Sequence, residues 1–479
     1  MSKTKQKPID ELLKEALVPE DEQPYEVPGN WTYFYFTSIL DVQGGTQPPK
    51  SEFINEPKEG YIRLVQIRDF ASDDYLTYIP YTNKLRIIEE EDILIARYGA
   101  SVGRILTGLS GAYNVALAKV VYPKEHIYRK YLYWLLQTEH FQIPLKMISR
   151  SAQAGFNKND LTNIKLPLPP YKEQKRIAEK IERLFAKIDE AKRLIEEVKK
   201  SVELRRVAIL DRAIRGELVK QSSLDDSADI LLEYIKMKRD FLVKQKKIHK
   251  EKNLPILGLD ELRHNIPENW IWVRLGEVIE LISGRDVSVK ECNNDGVGVP
   301  YIMGASNIMD DTLIIERWIA KPSVVGKQGD ILLSVKGTVG KVVIQEVEEC
   351  HLSRQIMGLR PMEGVYGRYL KIFIQTYVQV LKEKSKGVIP GISREDILLA
   401  PFPLPPYNEQ KRIAEKVDFL LNNLDREKEM VLEVEEKLDL LKQSILSKAF
   451  RGELGTNNPN DEHAIELLKE VLLQTSGQS

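Results

Sequence analysis

The sequence predicts an α+β chain: two α/β domains separated by a pair of long antiparallel coiled-coil helices, with a pseudo-twofold internal repeat. Three observations predict it. Leu166-Pro-Leu-Pro-Pro-Tyr171-Lys-Glu-Gln-Lys-Arg-Ile-Ala-Glu-Lys180 recurs 236 residues later as Phe402-Pro-Leu-Pro-Pro-Tyr407-Asn-Glu-Gln-Lys-Arg-Ile-Ala-Glu-Lys416. The match runs ungapped to Arg215-Gly216-Glu217-Leu218 and Arg451-Gly452-Glu453-Leu454, with 26 identities in 53 positions. Within each block apolar residues recur in steps of three and four, and ahead of each block a weaker set of landmarks repeats in the same order.

Length and composition agree with that plan. A chain of 479 residues exceeds one core, and 42% hydrophobic with 29% charged residues suits a folded protein. Lys plus Arg numbers 70 against 71 Asp plus Glu, so a polycation is excluded and any nucleic-acid site must come from local segregation of charge. With only Cys292 and Cys350 a disulfide framework is excluded; buried thiols in a reducing, cytoplasmic setting are expected. The polar Met1-Ser2-Lys3-Thr4-Lys5 start and the lack of long apolar runs predict a soluble chain without membrane contact.

In chain order, residues 1–26 read as an N-terminal helical segment around Ile9-Asp10-Glu11-Leu12-Leu13, and 27–165 as the first α/β domain. Apolar runs at Tyr61–Ile67, Asp92–Ala96 and Val115–Val121 are bounded by turn residues and read as strands, with a helix at Tyr128–Leu136. Residues 166–265 are a central helical region. Its prolines fix an extended lead-in, the helix starts near Tyr171, and Gly216 stops it about 45 residues later. The second domain, 266–401, repeats the plan with a strand at Ile331–Val335 and a helix at Arg368–Thr376; residues 402–479 form a C-terminal helical region ending its long helix at Gly452.

The predicted seam runs through Ile181, Leu184, Ile188, Ile195, Val198 and Val202 in the first helix, and through Val417, Leu420, Leu424, Val431, Val434, Leu438 and Leu441 in the second. Arg205 and Glu427 interrupt the stripes and are candidates for setting register. The first block carries 14 basic and 10 acidic residues and the second 9 and 11, which favours pairing between blocks within one chain; a homodimeric coil is the alternative. Ile230-Leu231-Leu232-Glu233 and Ile465-Glu466-Leu467-Leu468 read as one short helix used after each block, and Leu12-Leu13 as a candidate third copy.

Basic and amide residues beside Gly, Ser and aromatic residues mark candidate contact loops: Lys84, Arg86, Arg97, Arg104, Arg150, Gln153, Asn157 and Lys158 in the first domain. Arg285, Lys336, Lys341, Arg354, Gln355, Lys386 and Arg394 mark them in the second. Such groups suit phosphates and base edges, although a solvated surface charge is the alternative for each. The Gly99-Ala-Ser-Val-Gly103 and Gly337-Thr-Val-Gly340 stretches read as strand-to-strand turns, because no Gly-Lys-Ser/Thr follows. Pro169-Pro170-Tyr171 and Pro405-Pro406-Tyr407 follow Leu168 and Leu404, not a polar residue, so they read as helix starts, not a methyltransferase site. No catalytic constellation appears, and the six dispersed His support no metal site. The stretch Lys236–Lys252, with eight Lys or Arg, suits DNA, an acidic partner face or a solvated helix.

The duplicated block, its closing Arg-Gly-Glu-Leu, Ile282-Ser283-Gly284, Gly329-Asp330-Ile331-Leu332-Leu333 and Gly391-Ile392-Ser393 resemble the specificity subunits of type I restriction–modification systems over nearly the whole chain. The resemblance implies two target-recognition domains, each reading half of a bipartite, asymmetric site in double-stranded DNA, with the helix pair as the ruler between them. It implies a chain without enzymatic activity or bound cofactor. Its partners would be two modification subunits, which use S-adenosylmethionine to methylate adenine, and restriction subunits, which use ATP and Mg2+ to translocate and cleave. Gln43-Gly44-Gly45-Thr46 in the first domain departs from Ile282-Ser283-Gly284-Arg285 in the second, so two different half-sites are expected. The rival expectation is a non-catalytic coiled-coil adaptor with two protein-binding domains.

Overall fold

The computed structural model of the chain describes residues 7–151, 155–249, 254–309, 311–384 and 391–477. They divide into two compact units, Met1–Ile195 with Glu433–Ser479, and Glu196–Leu432. The long helices are Tyr171–Ile214 and Tyr407–Phe450, 44 residues each, or about 66 Å at 1.5 Å per residue. Each unit therefore holds one α/β domain and one half of each long helix.

The two domains have one topology. In the first, antiparallel strands run in the order Asp41–Gly44, Leu117–Val121, Leu94–Ala96, Ile105–Leu106. In the second, Ile279–Ser283, Ile356–Pro361, Ile331–Ser334 and Val342–Ile344 take the same places. A further sheet orders Tyr78–Pro80, Tyr61–Val65, Gly111–Tyr113 and Ile87–Ile88 around a parallel central pair. Trp318–Ile319, Val299–Ile302, Glu349–Leu352 and Val325–Lys327 repeat it, with Cys292–Asn293 added at the edge. Cys350 is buried there and its thiol is pushed up to about 12 by burial; both cysteines are free.

The doubled motif works as a set of bolts. In each copy the Pro-rich stretch is a short strand, Lys165–Leu168 or Pro401–Leu404, paired antiparallel with Thr32–Tyr35 or Ile271–Arg274. Proline has no N–H to give, which a two-stranded ribbon tolerates. The buried Tyr131 and Tyr369 hydroxyls donate to the Pro167 and Pro403 carbonyls at 2.8 and 2.9 Å. Gln174 accepts from the Tyr128 amide at 2.8 Å and donates to the His126 and Pro169 carbonyls. Gln410 does the same with the Tyr366 amide and the Gly364 and Pro405 carbonyls.

Glu173 and Glu409, both fully buried, fasten a third element. Glu173 accepts from the Trp31 indole (2.9 Å), the Asn457 amide (2.8 Å) and the Thr456 hydroxyl (3.2 Å). Glu409 accepts from the Gln221 and Asn269 amides at 2.7 and 3.4 Å. Arg176 pairs with Asp461, and Arg412 with Asp225 at 3.2 Å on its longer contact. The segment that leaves the end of one long helix thus returns to cap the start of the other. The short helices Ala228–Lys244 and Ala464–Gly477 follow it, their first amides bonded to the Asn269 and Asn30 carbonyls. The N-terminal helix Ile9–Ala16 is not a third copy of them: it packs beside Ala464–Gly477, with Ile9, Leu12 and Leu13 against its core.

Within each unit the long helices pack antiparallel. Lys442 pairs with Asp189 at 2.6 Å, and Lys192 with Asp439; in the other unit Arg206 pairs with Asp425, and Lys428 with Glu203 at 3.3 Å. The 236-residue offset converts each pair of one unit into a pair of the other, so the internal repeat extends to the ion pairs. Arg205 and Glu427 are joined at 2.6 Å. Ile181, Ile188, Ile195, Val202, Val417 and Leu424 are buried, and Leu184, Val198, Leu420, Val431 and Leu438 half-buried. Val434 departs from the predicted seam: it and Leu441 are 47% exposed. Here the inward stripe steps from Val431 to Glu435, Leu438, Lys442 and Ile445. Lys442 lies 5.2 Å from the centre of the Phe185 ring while reaching Asp189, so its stem covers apolar surface and its charge stays paired.

Candidate nucleic-acid interface

Several of the candidate loops meet in each domain: Gly44 with Arg86 and Arg97, and Arg97 with Phe156, in the first; Ser283 with Arg394, and Gly284 with Ser353, in the second, at the end of the four-stranded sheet. A close backbone approach builds that end. A Cβ on Gly45 would stand 2.2 Å from the Asn114 carbonyl oxygen, and one on Gly284 1.9 Å from that of Ser353. The two glycines hold equivalent places despite their different neighbours. Gly99–Gly103 and Gly337–Gly340 form the hairpins that join Leu94–Ala96 to Ile105–Leu106 and Ile331–Ser334 to Val342–Ile344, as predicted.

In the first domain Arg97 donates twice to the Phe156 carbonyl, at 3.1 and 3.2 Å, with its guanidinium 5.2 Å from the Tyr98 ring centre. Arg86 donates to the Gly44 carbonyl, and Lys158 pairs with Asp41 at 2.8 Å. Asn157 accepts from the Asn159 amide, making the turn that presents Lys158. Lys84 and Arg104 are exposed beside these groups in sequence, on a turn and on the hairpin. Gln153 lies outside the described residues; Arg150 falls in the helix Glu139–Ser151.

In the second domain Arg394 donates to the Ser283 hydroxyl at 2.7 Å and to the Leu281 carbonyl. The Arg285 amide bonds the Leu352 carbonyl, Arg354 pairs with Asp286 at 2.7 Å, and the Val335 amide bonds the Gln355 carbonyl. Lys336 sits on the same hairpin, exposed. Lys341 is drawn away, its ammonium bonded to the Ile308 carbonyl at 2.7 Å. Lys386 lies outside the described residues.

The candidates therefore divide. Arg86, Arg97, Lys158, Lys341, Arg354 and Arg394 are spent on the scaffold. Lys84, Arg104, Arg285 and Lys336 are exposed and, among the described residues, enter no ion pair. Sequence reasoning missed Asp41, Asp286, Ser283 and Tyr98, which hold the scaffold cations; a search for positive charge has no reason to find their anionic and aromatic partners. Of the basic stretch 236–252, Lys238 pairs with Glu363 at 3.0 Å and Arg239 donates to the Gly276 and Ile279 carbonyls, so both serve the fold. Among the described residues no helix is long and apolar enough to cross a membrane, and no group of three or more His, Cys, Asp or Glu could hold a metal ion.

Residues 28–200 and 267–436 each match the family described as the type I restriction modification DNA specificity domain. The chain belongs to that family. This specificity chain is 25% identical over 449 residues to the type I restriction enzyme EcoBI specificity subunit of Escherichia coli, covering 89% of the chain and 86% of that protein. It is also 25% identical to the MjaVIII specificity subunit of Methanocaldococcus jannaschii, covering 91% and 95%. Its fold matches the HsdS subunit from Thermoanaerobacter tengcongensis with a TM-score of 0.57 at 22% identity, over 90% of the chain and 99% of that structure. A chain from a structural study of type I R-M system assembly and conformational transition matches with a TM-score of 0.67 at 23% identity, over 90% of this chain and all of that one.

Proposed function

We propose that this specificity chain reads DNA for a type I restriction–modification complex, each α/β domain binding one half of a bipartite, asymmetric duplex site while the helix pair sets the gap. The observation that carries the reading is the family match falling once on each repeat. The chain itself is non-catalytic and binds no cofactor. Two modification subunits methylate adenine with S-adenosylmethionine, and restriction subunits use ATP and Mg2+ to translocate and cleave, all in the cytoplasm. Lys84, Arg104, Arg285 and Lys336 carry the phosphate contacts, because their charge is not used inside the fold.

The test is binding of the chain, assembled with its modification subunits, to duplex libraries over a range of salt. One asymmetric two-part site should emerge. Replacing Lys84, Arg104, Arg285 or Lys336 by Ala should weaken binding at every sequence and lower the salt slope by about 0.9 per lost contact. Absence of sequence preference at any salt would leave the adaptor reading instead. Methyl transfer from labelled S-adenosylmethionine by the chain alone would refute a non-catalytic role.

A further inference from the structure

We infer that the first unit carries a binding site for a small oxyanion, a carboxylate or a phosphate, in a cavity of about 310 Å3 walled by Tyr25, His140, Ser447 and Arg451. The Arg451 guanidinium lies on the Tyr25 ring, 3.8 Å from its centre. Its face is thereby occupied, and its edge of N–H donors is what a ligand meets; that edge matches the oxygens of carboxylate and phosphate. Arg451 Nε is buried without a hydrogen-bond partner, and so is His140 Nδ1, on a ring only 9% exposed. The fully buried Tyr33 hydroxyl, its ring centre 6.3 Å from that of His140, has no partner either. The two unmatched atoms of wall residues, Arg451 Nε and His140 Nδ1 in the tautomer that carries its proton there, call for an acceptor-rich group. Glu139 and Lys146 also border the cavity, so cations outnumber carboxylates there.

The second copy of the fold is the built-in control. Arg215 stands where Arg451 stands, and its Nε donates to Asp211 at 2.7 Å. The residue equivalent to Asp211 in the first unit is Ser447, one carboxylate short. Trp272, paired with Pro403, replaces Tyr33, paired with Pro167. Nine residues beyond Tyr369 stands the buried Val378, where the same count from Tyr131 reaches His140. One copy thus supplies its own carboxylate, with His264 packed on Trp272 beside it. The other keeps the arginine, gives up the carboxylate, and has His140 on the cavity wall with Tyr33 next to it.

The experiment titrates the full-length chain with inorganic phosphate, and separately with acetate, by calorimetry. Saturable binding at one site is expected. Ser447→Asp should abolish it without loss of folding, because the new carboxylate pairs with Arg451 as Asp211 does with Arg215. Arg451→Gln should weaken it about tenfold or more, the loss of one charge-assisted hydrogen bond. No saturable binding at millimolar anion, or binding that survives Ser447→Asp, would overturn the inference. Should Arg451→Gln fail to fold, the serine variant still decides.

Discussion

Glu173 shows how much one side chain can hold. Replacing it by Ala leaves the Trp31 indole buried without an acceptor and the Asn457 amide with Asn30 Oδ1 alone, and should destabilise the chain by about 1–3 kcal/mol in urea unfolding. Gln keeps an acceptor for those donors and can donate to Thr456, so Glu173→Gln should be far milder. Burial pushes the Glu173 carboxyl above its ordinary value, against the pull of the Trp31, Asn457 and Thr456 donors. A raised folded-state pKa gives stability that is full below the ordinary 4.5 and lost as pH rises through the raised value. That slope should vanish in Glu173→Gln. His140 has the opposite sign: burial, then Arg451, pushes it down to about 4. Its stability contribution is present above the ordinary 6.5 and is lost as pH falls towards 4, and unfolding curves of His140→Gln should lack that acid loss.

The long helices are the element on which the fold depends. Ile188 is 4% exposed at their contact, and Ile188→Ala should cost about 2–5 kcal/mol by chemical denaturation. Val434→Lys should change stability by no more than about 0.5 kcal/mol, although a heptad count gives both residues the same rank. Arg205→Ala should leave the unfolding curve nearly unchanged, because its pair with Glu427 is solvent-exposed. The helices, their ends and their partnership were legible because Pro, Gly and a three-four spacing act locally. The phase near Val434 was not: Val434 and Glu435 both satisfy that spacing, and the choice rests on Phe185 and Asp189 across the interface. The turns were legible as regions, from glycine beside charge. Which cations stay available was hidden, since Lys158 and Lys341 look alike in sequence and are consumed by Asp41 and the Ile308 carbonyl.

At the scale of the whole molecule, charge is near neutral, 70 basic against 71 acidic residues, so the proposed phosphate contacts would have to come from local cations and not from a net positive field. If the helix pair is the ruler, inserting seven residues into each long helix at matching points, beside Ile195 and Val431, should lengthen the gap in the methylated site. Seven residues of helix add about 10 Å, or about three base pairs. Sequencing the modified adenines of a host carrying that variant would measure the change, and an unchanged gap would remove the ruler. The caps that return from one long helix to the start of the other also fix an order of events. Residues 196–432 are consecutive, so that unit has all its parts as soon as they emerge from the ribosome. Glu173 waits for Thr456, translated 283 residues after it. A premature stop codon near residue 450 would therefore leave the first α/β domain without its cap, although residues 196–432 would be present in full.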